Sequence, residues 1–226
     1  MDIVTSFIAS YGDLFAQGIA DSLVMTFASC FFAYIIGLPL GVAFALTTPT
    51  GLHPMRVVNT VIGWIINIGR SIPFVILMVA IIPFTRFIIG TSLGVPGAIV
   101  PLTLSAAPFV ARIVEQSIAE VDGSLIEAAQ AFGATTFEIV TKVMLKESVP
   151  SLIRGVAITW VNLFGYVAMA GTIGAGGVGD IAIRYGYQRW MADVMVVAVV
   201  ICVILVQGFQ SFCDWFAVKV DKRIRN

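Results

Sequence analysis

Apolar residues run along this chain in long blocks separated by short polar breaks. Five blocks, residues 22–46, 57–84, 93–118, 152–173 and 194–216, reach the length of about 20 residues that a helix needs to cross a bilayer core of about 30 Å. Residues 7–20 are also apolar, but Tyr11, Gly12, Asp13 and Gln17 interrupt them, so this stretch is expected to lie in the interface as a helix rather than to cross. The predicted fold class is all-α, a polytopic membrane protein whose five spans form a single transmembrane domain over residues 1–226.

Composition supports lipid as the main solvent. Hydrophobic residues make up 59% of the 226 and charged residues only 12%, against about 25% charged in a soluble domain. Thirteen basic and thirteen acidic residues leave a formal net charge of zero. That removes the basic excess of a nucleic-acid binder and the acidic bias of a disordered chain. Cys30, Cys202 and Cys213 lie in apolar runs without the short paired spacings of a zinc site or a redox dithiol, and are read as packing residues. His53 is the only histidine, so neither a metal cluster nor a histidine relay is expected. The opening Met1-Asp2-Ile3-Val4-Thr5 lacks the positive start of a cleaved signal, and the first apolar run is expected to remain as an anchor.

Short loops rich in Lys and Arg stay cytoplasmic. With the N-terminus outside, Arg56, Lys142, Lys146, Arg154, Lys219, Lys222, Arg223 and Arg225 fall inside, leaving Arg86, Arg184 and Arg189 outside; the inverted topology reverses that ratio. A periplasmic N-terminus and a cytoplasmic C-terminus are therefore expected, with the basic tail of residues 219–226 anchored at the membrane surface.

Spans three and four are joined by residues 119–151, a longer connection than helix bundles usually need. Ser124 three before Glu127 reads as a capping box, and Gly133 stands where a left-handed residue ends a helix. Thr135 three before Glu138 reads as a second box, opening another helical stretch toward Glu147. The first short helix carries Leu125, Ile126, Ala129 and Phe132 on one side. Periodicity alone fits equally a helix lying on the membrane and one docking into a partner's groove.

Other features have plain structural readings. Gly174-x-Gly176-x-x-Gly179 satisfies a dinucleotide-binding pattern on paper, but it follows a span instead of a strand, so a tight turn with close backbone approach is expected. Gly37 and Gly41 form a small-xxx-small pair for helix packing, with Pro39 between them expected to bend the span. Arg112 and Glu115 are spaced to pair on one helical face. Arg70 falls at about mid-depth if span two is continuous, and must then face protein or water. It is read first as a structural partner of carbonyls freed by Pro73 or of Glu115, and second as an intramembrane polar site for a substrate carboxylate.

Glu127-Ala128-Ala129, three further residues and Gly133 resemble the cytoplasmic EAA loop of bacterial ATP-binding-cassette importer permeases. The usual continuation is Ile-x-Leu-Pro; here Val143-Met144-Leu145-Lys146 places a lysine at the proline, with Pro150 expected to end the helix slightly later. Arg70-Ser71-Ile72-Pro73-Phe74, Ile82-Pro83-Phe84-Thr85-Arg86, Gly90-Thr91-Ser92, Val100-Pro101-Leu102-Thr103, Ala106-Ala107-Pro108-Phe109, Gly174 to Gly179 and Tyr185-Gly186-Tyr187 are similar to the methionine-importer branch. The resemblance implies a type I importer permease, with Glu127, Ala128, Ala129, Phe132 and Gly133 coupling to the ATPase. It also implies a homodimer of this chain, two ATPase subunits that bind the ATP and Mg, and a periplasmic methionine-binding lipoprotein. The chain itself then has no cofactor, metal or catalytic site, and no nucleic-acid partner.

Five spans are too few to enclose a spacious path, so the path is expected between two copies. Span four is the expected lining, with Asn162, Tyr166 and Met169 as its polar or polarisable residues. A permease for another amino acid is the alternative on the same fold. A secondary transporter is disfavoured, since neither inverted halves nor intramembrane acids for ion coupling are evident.

Overall fold

The structure, a computed structural model, describes the backbone of residues 3–221 and the side chains of residues 7–221. Lys222, Arg223 and Arg225 of the basic tail lie outside the described residues. Helix accounts for every regular element among them. Helix α1, Ile3–Leu46, is 44 residues long, about 66 Å at 1.5 Å per residue. The separate interfacial helix expected over residues 7–20 is not formed; that stretch continues directly into span one. None of Tyr11, Gly12, Asp13 and Gln17 breaks helical hydrogen bonding, and Gln17 Nε2 donates to Asp21 Oδ1 at 2.8 Å along the same helix face.

The second apolar block differs from expectation more sharply. It forms three helices, α2 (Arg56–Ser71), α3 (Phe74–Ala80) and α4 (Ile82–Ile89). Pro73 is the cause of the first break: it has no N–H to donate and disfavours helical backbone in the residue before it. Ile72 accordingly is extended, with φ −82° and ψ 121°. Arg70 therefore sits in the last turn of a 16-residue helix, not at the middle of an unbroken span.

The remaining long helices are α5 (Gly94–Ala119), α9 (Val149–Ala170) and α11 (Ala192–Val220). Between α5 and α9 stand α6 (Gly123–Ala131), α7 (Thr136–Glu138), a wide π-turn over Ile139–Met144, and α8 (Leu145–Glu147). After α9 come a π-turn at Gly171–Ala175, α10 (Gly177–Ile181) and a third π-turn at Ala182–Tyr187. Among the described residues, four helical stretches are long and apolar enough to cross a membrane, and five if α2 and α3 are one broken span. Pro150 occupies the second position of α9 and so opens that helix instead of ending the preceding one. A proline is readily placed there because the first helical N–H groups have no intrahelical acceptor.

The chain divides into two compact units. The first comprises Met1–Phe31, Pro73–Thr103 and Trp160–Phe209. Its core gathers Phe15, Val178, Ile181, Val194 and Ala198, and Trp160 stacks on Phe209 with ring centroids 3.9 Å apart. The glycine turn is tightly packed. Gly174, Gly176 and Gly177 have φ of 93°, 84° and 88°, a region open to glycine at no steric cost. A Cβ on Gly179 would lie 2.4 Å from the backbone of Ala168, and one on Gly171 2.5 Å from the Asp180 nitrogen. Close backbone approach is thus the reason for the glycines, as the spacing predicted.

The second unit comprises Phe32–Ile72, Leu104–Thr159 and Gln210–Asn226. Phe44, Ile66 and Ala111 form its buried cluster, with Leu40 and Ile62 against it. Gly37 and Gly41 seat α1 on α5: a Cβ at either would meet Val110 or Val114 within 2.7 Å, and the helix continues past Pro39 without interruption. Arg112 pairs with Glu115 at 3.3 Å. Ser148, where α8 gives way to α9, donates to the Ser117 carbonyl at 3.0 Å, while the Ser117 hydroxyl donates to Ser151 at 3.0 Å. These bonds, the first of them buried, fasten the end of the loop to α5.

Candidate functional site

The loop between α5 and α9 is built around α6. Its N-cap is Asp122, whose carboxylate accepts from the Ser124 N–H at 2.9 Å. The Ser124/Glu127 box read from the sequence is not formed, because the helix begins at Gly123 and Ser124 already lies inside it. The spacing matched, but Asp122 wins as the first available acceptor. Asp122→Ala is expected to weaken α6 by about 1 kcal/mol, while Ser124→Ala leaves it nearly unchanged; amide hydrogen exchange over Gly123–Ala131 distinguishes the two.

The C-terminal stop agrees with expectation. Gly133 is left-handed, with φ 76°. Its N–H donates to the Gln130 carbonyl at 2.9 Å and that of Ala134 to the Ala129 carbonyl at 3.0 Å, the paired bonds of a Schellman ending. No residue of α6 is buried. The apolar side read from the sequence is divided in two: Ile126 and Ala129 are half-buried, whereas Leu125 and Phe132 are exposed, as is Ala128 beside them. Phe132 is 92% exposed and Phe137, just beyond, 75%. Glu127 is exposed beside them. The five residues Glu127, Ala128, Ala129, Phe132 and Gly133 thus lie on a short, rigidly terminated helix with a free apolar ridge.

The second capping box forms completely. Thr135 Oγ1 accepts from the Glu138 N–H at 3.3 Å, and Glu138 Oε2 accepts from the Thr135 N–H at 3.1 Å. Lys142 donates to Glu138 Oε1 at 2.9 Å. This lysine, and then the Thr135 bonds, lower the Glu138 pKa from 4.5 to about 2. A depressed carboxylate pKa stabilises the folded form fully above 4.5 and loses that contribution as pH falls through about 2. Hydrogen-exchange protection of residues 136–141 is expected to fall over that acid window, and Glu138→Gln to remove the pH dependence. His53 is a loop residue as expected, and its Nε2 lies 2.8 Å from Thr136 Oγ1 at the start of α7.

Span four presents a second feature. Asn162 and Met169 are exposed on α9, in register with Gly165 and Thr172. Tyr166 is set apart, half-buried and stacked on Phe74 of α3 with centroids 4.9 Å apart. Gly165 and Thr172 were legible as members of the stripe from their helical spacing, but carry too little polarity to stand out. Arg70 is exposed, and its guanidinium carbon lies 5.9 Å from the Phe109 ring centroid. The Glu115 partnership is not made, since that acid is engaged by Arg112.

Residues 37–226 match the model of the binding-protein-dependent transport system inner membrane component family. The chain belongs to that family. It is 44% identical over 220 residues to a probable D-methionine transport system permease protein MetI of Vibrio cholerae, covering 97% of this chain and 98% of that protein. The D-methionine transport system permease protein MetI of Escherichia coli (strain K12) is 49% identical over 158 residues, 70% of this chain and 73% of that one. A solved chain from inward-facing conformations of the MetNI methionine ABC transporter superposes with a TM-score of 0.93 at 46% identity, covering 94% and 99% of the two chains. An amino acid ABC transporter crystallised with histidines shares the fold, with a TM-score of 0.77 at 17% identity.

Family membership accounts for the exposed apolar residues of the isolated chain. Val57, Trp64 and Phe87 are 77%, 68% and 88% exposed, a surface for lipid or for another subunit of the transport system and not for water. The inner-membrane component is an all-α type I importer permease, as its sequence indicated.

Proposed function

We propose that this chain is the membrane-spanning permease subunit of an ATP-driven methionine importer, accepting the L form, the D form or both, and working by alternating access. The observation that carries this reading is the near full-length agreement with permeases of methionine transport systems, in sequence and in backbone. Two copies of the chain flank the path, and each receives one ATPase subunit, which binds the ATP and Mg. A periplasmic methionine-binding lipoprotein supplies the cargo. The Lys/Arg distribution supports a periplasmic N-terminus and a cytoplasmic C-terminus.

The geometry of α6 supports a coupling role. The exposed ridge of Leu125, Ala128 and Phe132 fits an apolar groove, and Gly133 stops the helix so that a push on α6 is passed on instead of absorbed. The buried Ser148 and Ser117 bonds then carry displacement of the loop to α9 and α5. Closure of the ATPases rocks the spans between inward- and outward-open arrangements, and the α9 stripe of Asn162 and Met169 faces the cargo. Arg70, at the end of α2, is held ready for polar contact in the assembled complex. Reconstitution of the chain with its ATPase and binding protein in proteoliposomes, with a panel of radiolabelled amino acids, tests the reading. ATP-dependent uptake is expected for methionine; greater uptake of a different amino acid would overturn the assignment. A reporter fused after Asn226 is expected to be active only as a cytoplasmic fusion.

A further inference from the structure

A cavity of about 570 Å³ lies at the C-terminal end of α9, against the glycine turn. Its volume is typical of small-molecule sites, which span about 300–1,000 Å³. Asp21, Asp180 and Arg184 bring charge to its walls, and Val95 and Ile183 bring apolar surface. All five belong to the first compact unit.

The charged groups are arranged unequally. Asp180 is engaged by Arg184 one helical turn away. The guanidinium also lies 5.6 Å from the Tyr185 ring centroid, and with five N–H donors it retains capacity for a second carboxylate. Asp21 accepts from Gln17 through Oδ1. Its Oδ2 would stand 3.3 Å from a Cβ on Gly176, so glycine at that left-handed position is what keeps the oxygen uncrowded. Thr172, in the π-turn that follows α9, lines the cavity and is exposed in line with Asn162 and Met169 of that helix. The cavity therefore adjoins the face assigned to the path.

One carboxylate and one guanidinium on a common cavity complement the two ends of a zwitterion. We infer that this cavity is an entry site for the free α-amino acid, with Asp21 receiving the ammonium, Arg184 the carboxylate, and Val95 and Ile183 the side chain. The inference rests on the methionine-import reading and adds to it a binding site within the permease itself. The Gly174–Gly179 turn then has two uses, close packing and an unobstructed approach to Asp21.

The test uses the permease–ATPase complex in nanodiscs without nucleotide. Binding is measured for radiolabelled L-methionine, for the 2-hydroxy analogue that lacks the ammonium, and for the methyl ester that lacks the carboxylate charge. Each analogue is expected to bind roughly tenfold or more weakly than methionine, the scale of one hydrogen bond to a charged group. Asp21→Asn should weaken methionine by the same factor and leave the hydroxy analogue unchanged; Arg184→Gln should do so with the ester. Asp21→Glu should retain the preference for methionine over the hydroxy analogue. A parallel loss of all three ligands in both neutral variants would mean a structural effect and overturn the site. So would variants that bind methionine normally but no longer capture the binding protein, which would assign this face to protein docking. Methionine uptake by the wild-type complex with no saturable binding overturns the site alone, whereas absence of methionine uptake overturns the reading beneath it.

Discussion

Gly179→Val is expected to abolish recovery of folded permease. A Cβ at this position would lie 2.4 Å from both the Cα and the carbonyl oxygen of Ala168. Those are backbone atoms at the end of α9, so no rotamer change relieves the contact. Inserted bulk in a packed interior costs about 1–3 kcal/mol when neighbours can yield, and a backbone wall places this substitution at or beyond the upper end. Even Gly179→Ala should cut the yield of monodisperse complex in mild detergent. Gly165→Ala provides the contrast, since a Cβ there has nothing within 4 Å. Equal yields from Gly179→Val and the unsubstituted protein would show that α10 does not pack against α9 in this way.

Phe132→Ala is expected to leave the membrane subunit intact while releasing the ATPase. With the ring 92% exposed, almost none of its surface is buried within the chain, so truncation removes little folding energy. An aromatic seated in a partner's groove contributes about 2 kcal/mol or more to association, enough to lower ATPase co-purification roughly thirtyfold. Gly133→Asp should behave similarly: nothing crowds a Cβ there, but the left-handed φ of 76° disfavours a side chain, and the added carboxylate sets a charge beside the exposed Phe132. Glu127→Lys reverses a charge on the same helix and should uncouple hydrolysis from transport. Unchanged co-purification and unchanged substrate-stimulated hydrolysis in all three would remove α6 from the coupling role.

The loop around α6 and α7 illustrates how far local pattern reaches. Gly133 was recognisable because left-handed termination is a property of one residue and its immediate neighbours, and the Thr135/Glu138 box formed for the same reason. Ser124 misled because two acceptors, Asp122 and Ser124, lie within one turn, and the choice depends on where the preceding chain leaves α5. Residues 7–20 misled differently. Their polar side chains suggested an interface, yet in α1 they find partners along the helix and in the first unit, as Gln17 does with Asp21 and Tyr11 with the sulfur of Met191 at 3.8 Å.

By itself the sequence determined the solvent, the helical class, the approximate limits of the third, fourth and fifth spans, and the loop whose short helix is proposed to couple to the ATPase. These follow from lengths and from spacings of a few residues, which the chain cannot evade once lipid denies it unpaired backbone groups. Tertiary structure alone decided which side of α6 is free, that Tyr166 stacks on Phe74 while Met169 does not pack away, and that Arg112 claims Glu115 ahead of Arg70. It also decided that Asp21, Gly176 and Arg184, up to 163 positions apart in the chain, share one cavity. Such arrangements depend on which faces of distant helices meet, and that is set by steric fit between elements, to which the spacing within any one of them is blind.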